Sequence, residues 1–398
     1  MTEFLQTFTP DWISPPGETI ADLIEEREWN QLDLASRLGS SKKHVNQLIS
    51  GKAPITEETA IKLESVLGSS ANFWLSREAQ YRAKLAQKES EADFQKWVPW
   101  LDELPVKELM EREAIPKRRR DANNKSAIVR DLLRFFGVAS PEEWRTCYVS
   151  LEVSFRRTRT EQSDIGAISA WLRQGEIEAE KLNCPKYNKA KFESAVQAIR
   201  QLTLLSPAEF VPQMQKLCWD AGVVFFLVPA ISGAHTSGVA RWINSHKAMI
   251  QLSLYGKTND RFWFTFFHEA AHILLHSKKD IFLDEWDGGE SVESLQEQEA
   301  DRWAKEFLIP PEYAVELPKL RSKESVKAFA DKLGIHPGII VGRLQHEEVI
   351  PMKWMNDFKD RFNFKCMFPE LEQPPEDDFE RAVSYVLDKN QELYERLS

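Results

Sequence analysis

Apolar positions recur at helical spacing along most of the chain, and they give way to strand-like runs in one region only. From residue 15 to about 90, apolar residues return every three or four positions in ETIADLIEEREW, QLDLASRLG, KKHVNQLIS and EETAIKLESVLG. This spacing predicts several short helices. Ser, Thr and Gly residues separate these stretches and can cap the helix ends.

The helical pattern weakens between residues 91 and 125, where three prolines precede the basic run KRRR at 117–120. Prolines interrupt helices, so this part is the best candidate for a linker. From about 126 to 205 helical spacing returns, for example in KSAIVRDLLRFFG. We therefore expect residues 91–205 to form a helical linker or middle region.

Three strand-like runs follow, GVVFFLVP, SGVARWI and KAMIQLSL, with Asn-Ser as a turn between the last two. They predict a small sheet. KAMIQLSL directly precedes the next helix, and we expect it to form a sheet edge that can pair with an extended peptide. An acidic segment and a second helix, EQEADRWAKEFLIP, come next, and the tail reads as one polar helix.

Length and composition limit the function classes. A chain of 398 residues is long enough for two or three domains. Its net charge of −10 argues against general coating of nucleic acid but leaves room for a small basic face. The four cysteines form no CxxC pair, which suits a reducing compartment. The sequence shows neither a signal peptide nor an apolar run of ~20 residues, so we expect a cytoplasmic protein away from membranes.

The stretch NQLDLASRLGSSKKHVNQLISGK predicts two helices that meet at a tight turn after Gly39. Ser40 or Ser41 can cap the second helix. That helix carries hydrogen-bond donors near its N-terminal end, where a recognition helix meets base edges in the major groove. The candidate DNA-binding residues of this stretch are Gln31, Ser41, Lys42, Lys43, His44 and Gln47. The alternative is a helical protein-interaction module without DNA contacts.

These residues, together with the following ISGKAPITEETAIKLESVLGSSANFWL, resemble the repressor-like helix-turn-helix family, and within it the HigA-type antitoxins. The resemblance covers roughly residues 15–90 and implies binding to operator DNA. It implies that Gln31 contacts a phosphate and that Lys42, Lys43 and Gln47 read bases. Residues 1–90 hold 10 basic and 13 acidic side chains, so affinity would depend on a few local contacts and on homodimerisation.

The run FTFFHEAAHILLH at 264–276 places polar groups in an apolar helix, where unsatisfied histidines are costly. His268 and His272 are four residues apart, so both imidazoles project from one helix face and can converge on a zinc ion. Glu269 can reach a water molecule beside that metal and remove its proton. This is the HExxH arrangement of zinc peptidases.

Zinc needs a third protein ligand. His276 lies about 12 Å along the helix axis from His268, too far for one ion to bind both, so we expect it to support the site instead. Glu297 is the best third ligand, with Asp301 orienting a ligating histidine. Glu299 points about 200° away from Glu297 around the helix and is a rival ligand. Alternatively, Glu297 and Asp301 belong to a solvated acidic face.

The segments FWFTFFHEAAHILLH, EQEADRWAKEFLIP and HPGIIVGRLQHEEVIP resemble the ImmA/IrrE family of metallopeptidases over roughly residues 205–350. The resemblance implies a gluzincin-like site with His268, His272 and Glu297 as zinc ligands and Glu269 as general base. Members of that family typically cleave a repressor that carries a helix-turn-helix.

We therefore expect a mostly α protein of the α+β class. Its segments would be a helix-turn-helix domain (1–90), a helical middle region (91–205), a zincin-like domain with a small sheet (206–350) and a polar helical tail (351–398). The leading hypothesis is a DNA-binding transcriptional regulator whose zinc endopeptidase domain cleaves a regulator, a partner such as a toxin, or itself. The alternatives are a non-catalytic antitoxin or repressor whose zincin-like domain only binds a partner, and a peptidase that does not bind DNA.

Overall fold

The computed structural model describes residues 14–122, 124–156, 164–254, 256–276, 295–363 and Met367. It divides into two compact units, Met1–Val98 and Pro99–Ser398. The sequence predicts an acidic segment between the HEAAH helix and the EQEADRWAKEFLIP helix, and most of it lies outside the described residues. The polar helix predicted for the tail also lies outside them.

The first unit is built from helices. They are α1 (Pro16–Glu26), α2 (Gln31–Leu38), α3 (Lys42–Ile49), α4 (Glu57–Leu67) and α5 (Ala71–Lys96). Position 90, where the sequence places the end of the first domain, falls within α5. Ile20, Leu34, Val45, Leu63 and Trp74 are fully buried in their shared core.

Local capping fixes both ends of α2 and the start of α3. The Asn30 side chain accepts from the backbone N–H of Asp33, whose side chain accepts in turn from the N–H of Asn30. Gly39 ends α2 in the left-handed conformation, with φ of 61°. Ser41, one of the two serines considered as caps, accepts from the N–H of His44 and starts α3.

The second unit is also mostly helical. Its helices are α6 (Val106–Glu111), α7 (Lys125–Phe136), α8 (Pro141–Arg156), α9 (Ile165–Lys181), α10 (Lys189–Gln201), α11 (Pro207–Asp220), α12 (Asn259–Leu275), α13 (Leu295–Leu308), α14 (Pro311–Ala314), α15 (Lys323–Leu333) and α16 (Pro337–His346). Its strands are β1 (Val223–Leu227), β2 (Gly238–Asn244) and β3 (Lys247–Leu252). The α+β, mostly α class is confirmed. No described helix is long and apolar enough to cross a membrane.

The three strands form one mixed sheet in the order β1-β3-β2. β3 pairs in parallel with β1 and antiparallel with β2. The prediction that KAMIQLSL forms the sheet edge is therefore wrong, because β3 is the central strand. Asn244 pairs with Lys247, so the turn consists of Ser245 and His246, one residue later than predicted.

Both faces of the sheet are covered. On one face Phe225 of β1 packs edge-on against Phe266 of α12. On the other, the fully buried Gln251 of β3 donates to the carbonyl of Trp171 in α9, and the indole N–H of Trp171 donates to Val228. The sheet thus lies between α12 and a helix that the sequence assigns to the middle region.

A buried arginine ties the middle region to the loop after β1. Arg112, at the end of α6, donates to the carbonyls of Pro229 and Ala230 and forms an ion pair with Glu108. Glu108 also accepts from the backbone N–H of Ser232. Residues 229–232 are therefore held from outside the strand-containing segment.

Replacing Gly17 with alanine should loosen the first unit, because α1 contacts α3 through this glycine. A Cβ atom there would lie 2.2 Å from the carbonyl oxygen of Ile49 and 2.3 Å from that of Leu48. Overpacking of this kind costs about 1–3 kcal/mol. Hydrogen exchange of the full chain, followed by mass spectrometry, should show faster exchange in α1 and α3 and unchanged exchange in the second unit. The exposed Ser36→Ala on α2 is the control, and equal exchange in the two variants would contradict the close packing.

Candidate metal centre and nucleic-acid interface

The outer face of α3 carries the predicted DNA-binding side chains. Lys42 and Lys43 are exposed at its N-terminus, while His44 and Gln47 are partly buried. The inner face is anchored by the buried Val45 and Leu48. The helix therefore presents its donors outward on a fixed support.

Gln31, at the start of α2, is brought next to α3. Its side-chain oxygen accepts from the amide of Asn46 at 3.4 Å. Asn46 is exposed on the same face as Lys42 and Lys43. This arrangement puts Gln31 and Asn46 beside the basic N-terminus of α3, where they add amide groups to the donor set.

Three candidate ligands from two helices meet in the second unit. The Nε2 atoms of His268 and His272 on α12 are 3.0 Å apart. The carboxylate of Glu297 on α13 lies 3.1 Å from Nε2 of His268 and 3.4 Å from Nε2 of His272. Ala300 and Ala304 of α13 are fully buried, and their small side chains allow α13 to pack closely on α12.

These donors fit a zinc ion. Ligand atoms at 2.0–2.1 Å from a tetrahedral centre stand about 3.3 Å apart, and the observed separations of the three donors lie around this value. Two imidazole nitrogens and one carboxylate are also a donor set that zinc accepts, with a fourth position left for water or substrate. The three residues form the only such group among the described residues.

A different carboxylate of α13, that of Asp301, accepts from Nδ1 of His268 at 2.9 Å. Burial lowers the pKa of His268, but hydrogen bonds to Asp301 and Glu297 and the nearby carboxylate charges raise it to about 10. Burial would raise the pKa of Glu297, yet the hydrogen bonds from both histidines hold it well below its usual range. The imidazole of His268 and the carboxylates of Glu297 and Asp301 thus stabilise one another's charged forms.

His276 lies next to His272 and outside the three-donor cluster. The Nδ1 atoms of His276 and His272 are 3.0 Å apart. Glu299, considered from the sequence as a rival ligand, has a carboxylate oxygen 3.5 Å from Nε2 of His276. Neither residue is among the three whose donor atoms converge.

Glu269 lies on α12, and its side chain is buried against the edge strand β2, with 8% of the residue's surface exposed. Burial raises the pKa of its carboxyl, although His268, His272 and the backbone N–H of Ala240 act in the opposite direction. Gly238 allows β2 to pack closely against α12. A Cβ atom there would lie 2.6 Å from Thr265 and 3.2 Å from Cγ of Glu269.

Comparisons with known proteins agree with both regions. Residues 20–74 match the family described as helix-turn-helix. The uncharacterized HTH-type transcriptional regulator YddM of Escherichia coli (strain K12) is 32% identical over 73 residues, which cover 18% of this chain and 78% of that protein. The chain belongs to the helix-turn-helix family. Residues 226–345 match a second family, the IrrE N-terminal-like domain, so the chain also carries an IrrE-like domain.

Some groups near these sites were not singled out from the sequence. Asn46 could have been found, because it shares the exposed face of α3 with Lys42 and Lys43. Gly238 carried a weaker signal, as a glycine at the start of a strand often marks a close approach. The N–H of Ala240 carried none, since a backbone group is independent of residue type.

Replacing Glu297 with alanine should weaken zinc binding by more than roughly 100-fold. Losing a group that merely orients a ligand costs 10–100-fold, and losing a ligand should cost more. The measurement is competition between the purified full chain and a chromophoric chelator. Glu306→Ala, at an exposed position of the same helix, is the matched control. Equal affinities for the Glu297 and Glu306 variants would contradict the assignment of Glu297.

Proposed function

We propose that this protein is a DNA-binding transcriptional regulator whose IrrE-like domain is a zinc-dependent endopeptidase. Its substrate would be a regulator, a partner protein such as a toxin, or the chain itself. The observation that carries the enzymatic part is the placement of the buried Glu269 next to the convergent donors of His268, His272 and Glu297. A site that only bound metal would have no need for this additional carboxylate.

The DNA-binding part is supported by the helix-turn-helix match and by the fixed outward face of α3. Lys42, Lys43 and Gln47 would contact bases, with Ser41 and His44 beside them, and Gln31 would hold a phosphate. Because the first unit is not basic overall, one copy would bind operator DNA weakly. A homodimer that contacts two half-sites would raise the affinity for DNA.

His268, His272 and Glu297 would hold the zinc ion, with Asp301 fixing the ring of His268. Zinc bound there would supply a Lewis acid that makes water nucleophilic near neutral pH and polarises a peptide carbonyl. Glu269 would take the proton from the attacking water and pass it to the leaving amine. Burial of Glu269 favours this exchange, because it raises the proton affinity of the carboxylate.

The edge strand β2 offers a place for the substrate backbone. The side of β2 that faces away from β3 pairs with no strand in the described part of the chain. An extended peptide added there would form main-chain hydrogen bonds. It would pass close to Glu269, since the carboxylate of Glu269 accepts from the N–H of Ala240 in this strand.

Replacing Glu269 with glutamine should abolish cleavage while leaving zinc bound. Loss of a general base costs about 10²–10⁴-fold in rate. The zinc-loaded full chain is incubated with the proteins encoded beside its gene, and new fragments, including fragments of the chain itself, are identified by mass spectrometry. Glu306→Gln is the control. Full activity in a zinc-loaded Glu269→Gln protein would refute the role of Glu269, and a zinc-loaded parent chain that cleaves nothing would favour a binding module.

Replacing Lys42, Lys43 and Gln47 together with alanine should weaken binding to the promoter DNA of its own gene. Each base contact contributes about 1–3 kcal/mol, so the combined loss should exceed roughly 100-fold. Fluorescence anisotropy at one fixed salt concentration measures the affinity. Lys62→Ala on the exposed side of α4 is the control for charge. Unchanged affinity of the triple variant would remove α3 as the recognition helix.

A further inference from the structure

His276 occupies an unusual position for a histidine. It follows the last residue of α12, its backbone N–H donates to the carbonyl of His272, and only 5% of its side chain is exposed. Its Nδ1 atom lies 3.0 Å from Nδ1 of His272. Its Nε2 atom is buried and makes no hydrogen bond to any residue that the structure describes. A position that served packing alone would favour an apolar side chain, because a buried unsatisfied polar atom costs about 1–3 kcal/mol.

The arrangement of nitrogens fixes where the protons must lie. His268 and His272 both direct Nε2 towards Glu297, so Nδ1 of each ring faces away from the donor cluster. An imidazole that ligates through Nε2 keeps its proton on Nδ1, and that N–H needs an acceptor. For His268 the acceptor is the carboxylate of Asp301.

For His272 the atom in reach is Nδ1 of His276. It can accept only if the proton of His276 is on Nε2, because a neutral imidazole donates from one nitrogen and accepts at the other. Glu299 on α13 places a carboxylate oxygen 3.5 Å from Nε2 of His276. Glu299 is 51% exposed, so a small side-chain rotation can shorten this contact into a hydrogen bond.

We propose that Glu299 and His276 form a positioning pair that sets the tautomer and ring orientation of His272 for metal binding. This inference rests on the metal centre proposed above. Glu299 holds the proton of His276 on Nε2, which leaves Nδ1 of His276 to accept from His272. The pair does for His272 what Asp301 does directly for His268, and α13 supplies the carboxylate in both cases.

The same geometry argues against ligation by either member of the pair. Nδ1 of His276 meets the side of the His272 ring that is opposite the ligating nitrogen. The Glu299 carboxylate lies beyond His276 and outside the three-donor group. Both residues therefore act through His272.

The test compares four variants of the full chain. His276→Phe keeps a ring of similar size but removes the acceptor, whereas His276→Asn offers an amide oxygen near the position of Nδ1. Glu299→Ala removes the carboxylate from a half-exposed site, and Glu306→Ala is its matched control on α13. Zinc affinity is measured by chelator competition, and the geometry of the ligands is followed by the visible spectrum of the cobalt(II)-substituted protein.

We expect His276→Phe to bind zinc about 10–100-fold more weakly and to shift the cobalt spectrum, because His272 loses its orientation. Glu299→Ala should change both readouts in the same direction by less, and His276→Asn should restore most of the affinity. Glu306→Ala should match the parent. Thermal unfolding without metal should be similar for all variants, which separates positioning from a loss of packing.

Parent-like zinc affinity and cobalt spectra in both His276→Phe and Glu299→Ala would overturn the positioning pair. If His276→Phe does not fold, a parent-like Glu299→Ala protein is sufficient to overturn it. A parent chain that takes up no zinc would overturn the metal centre and the pair together. A parent chain that takes up zinc but cleaves nothing would contradict only the endopeptidase function. The zinc affinities of the variants would still decide whether His276 and Glu299 form a positioning pair.

Discussion

The packing of α13 on α12 is the contact on which the candidate metal centre depends. Ala300 and Ala304 leave no bulk between the two helices, so the carboxylate of Glu297 reaches the imidazoles of His268 and His272. Larger side chains at these alanines would push the helices apart and carry Glu297 away from the imidazoles. The acidic residues of α13 would then face solvent, and the histidines of α12 would be buried without acceptors.

The metal ligands and the turn before α3 could be predicted from the sequence, because ligand chemistry and helix geometry fix the spacing of the residues involved. The interval of four between His268 and His272 puts both rings on one face, and the position of Ala300 and Ala304 indicates a closely packed helix that carries Glu297. Gly39 and Ser41 marked the turn before α3 for the same reason, since left-handed backbone and N-caps have strong residue preferences. These are local rules, and each acts within one or two helical turns.

The order of strands followed no local rule. β3 precedes α12 in sequence and was expected at the edge, yet it lies between β1 and β2. Strand order is set by pairing between segments that are distant in sequence. Helix geometry places Glu299 about 200° around α13 from Glu297, but it does not reveal which residue Glu299 contacts. His276 lies one turn beyond His272 and meets α13 from another side, which only the packing of two helices defines.

Contacts made by the middle region limit where the chain can be divided into fragments. The residues that match the IrrE-like family begin inside β1, but one face of that sheet is closed by α9, and the loop leading to β2 is held by Arg112. A fragment that starts at residue 206 would therefore expose Gln251 and the adjoining strand faces to water. The boundary of family resemblance therefore does not coincide with the boundary of the packed unit, and α6 and α9 belong to the scaffold of the IrrE-like domain rather than to a removable spacer.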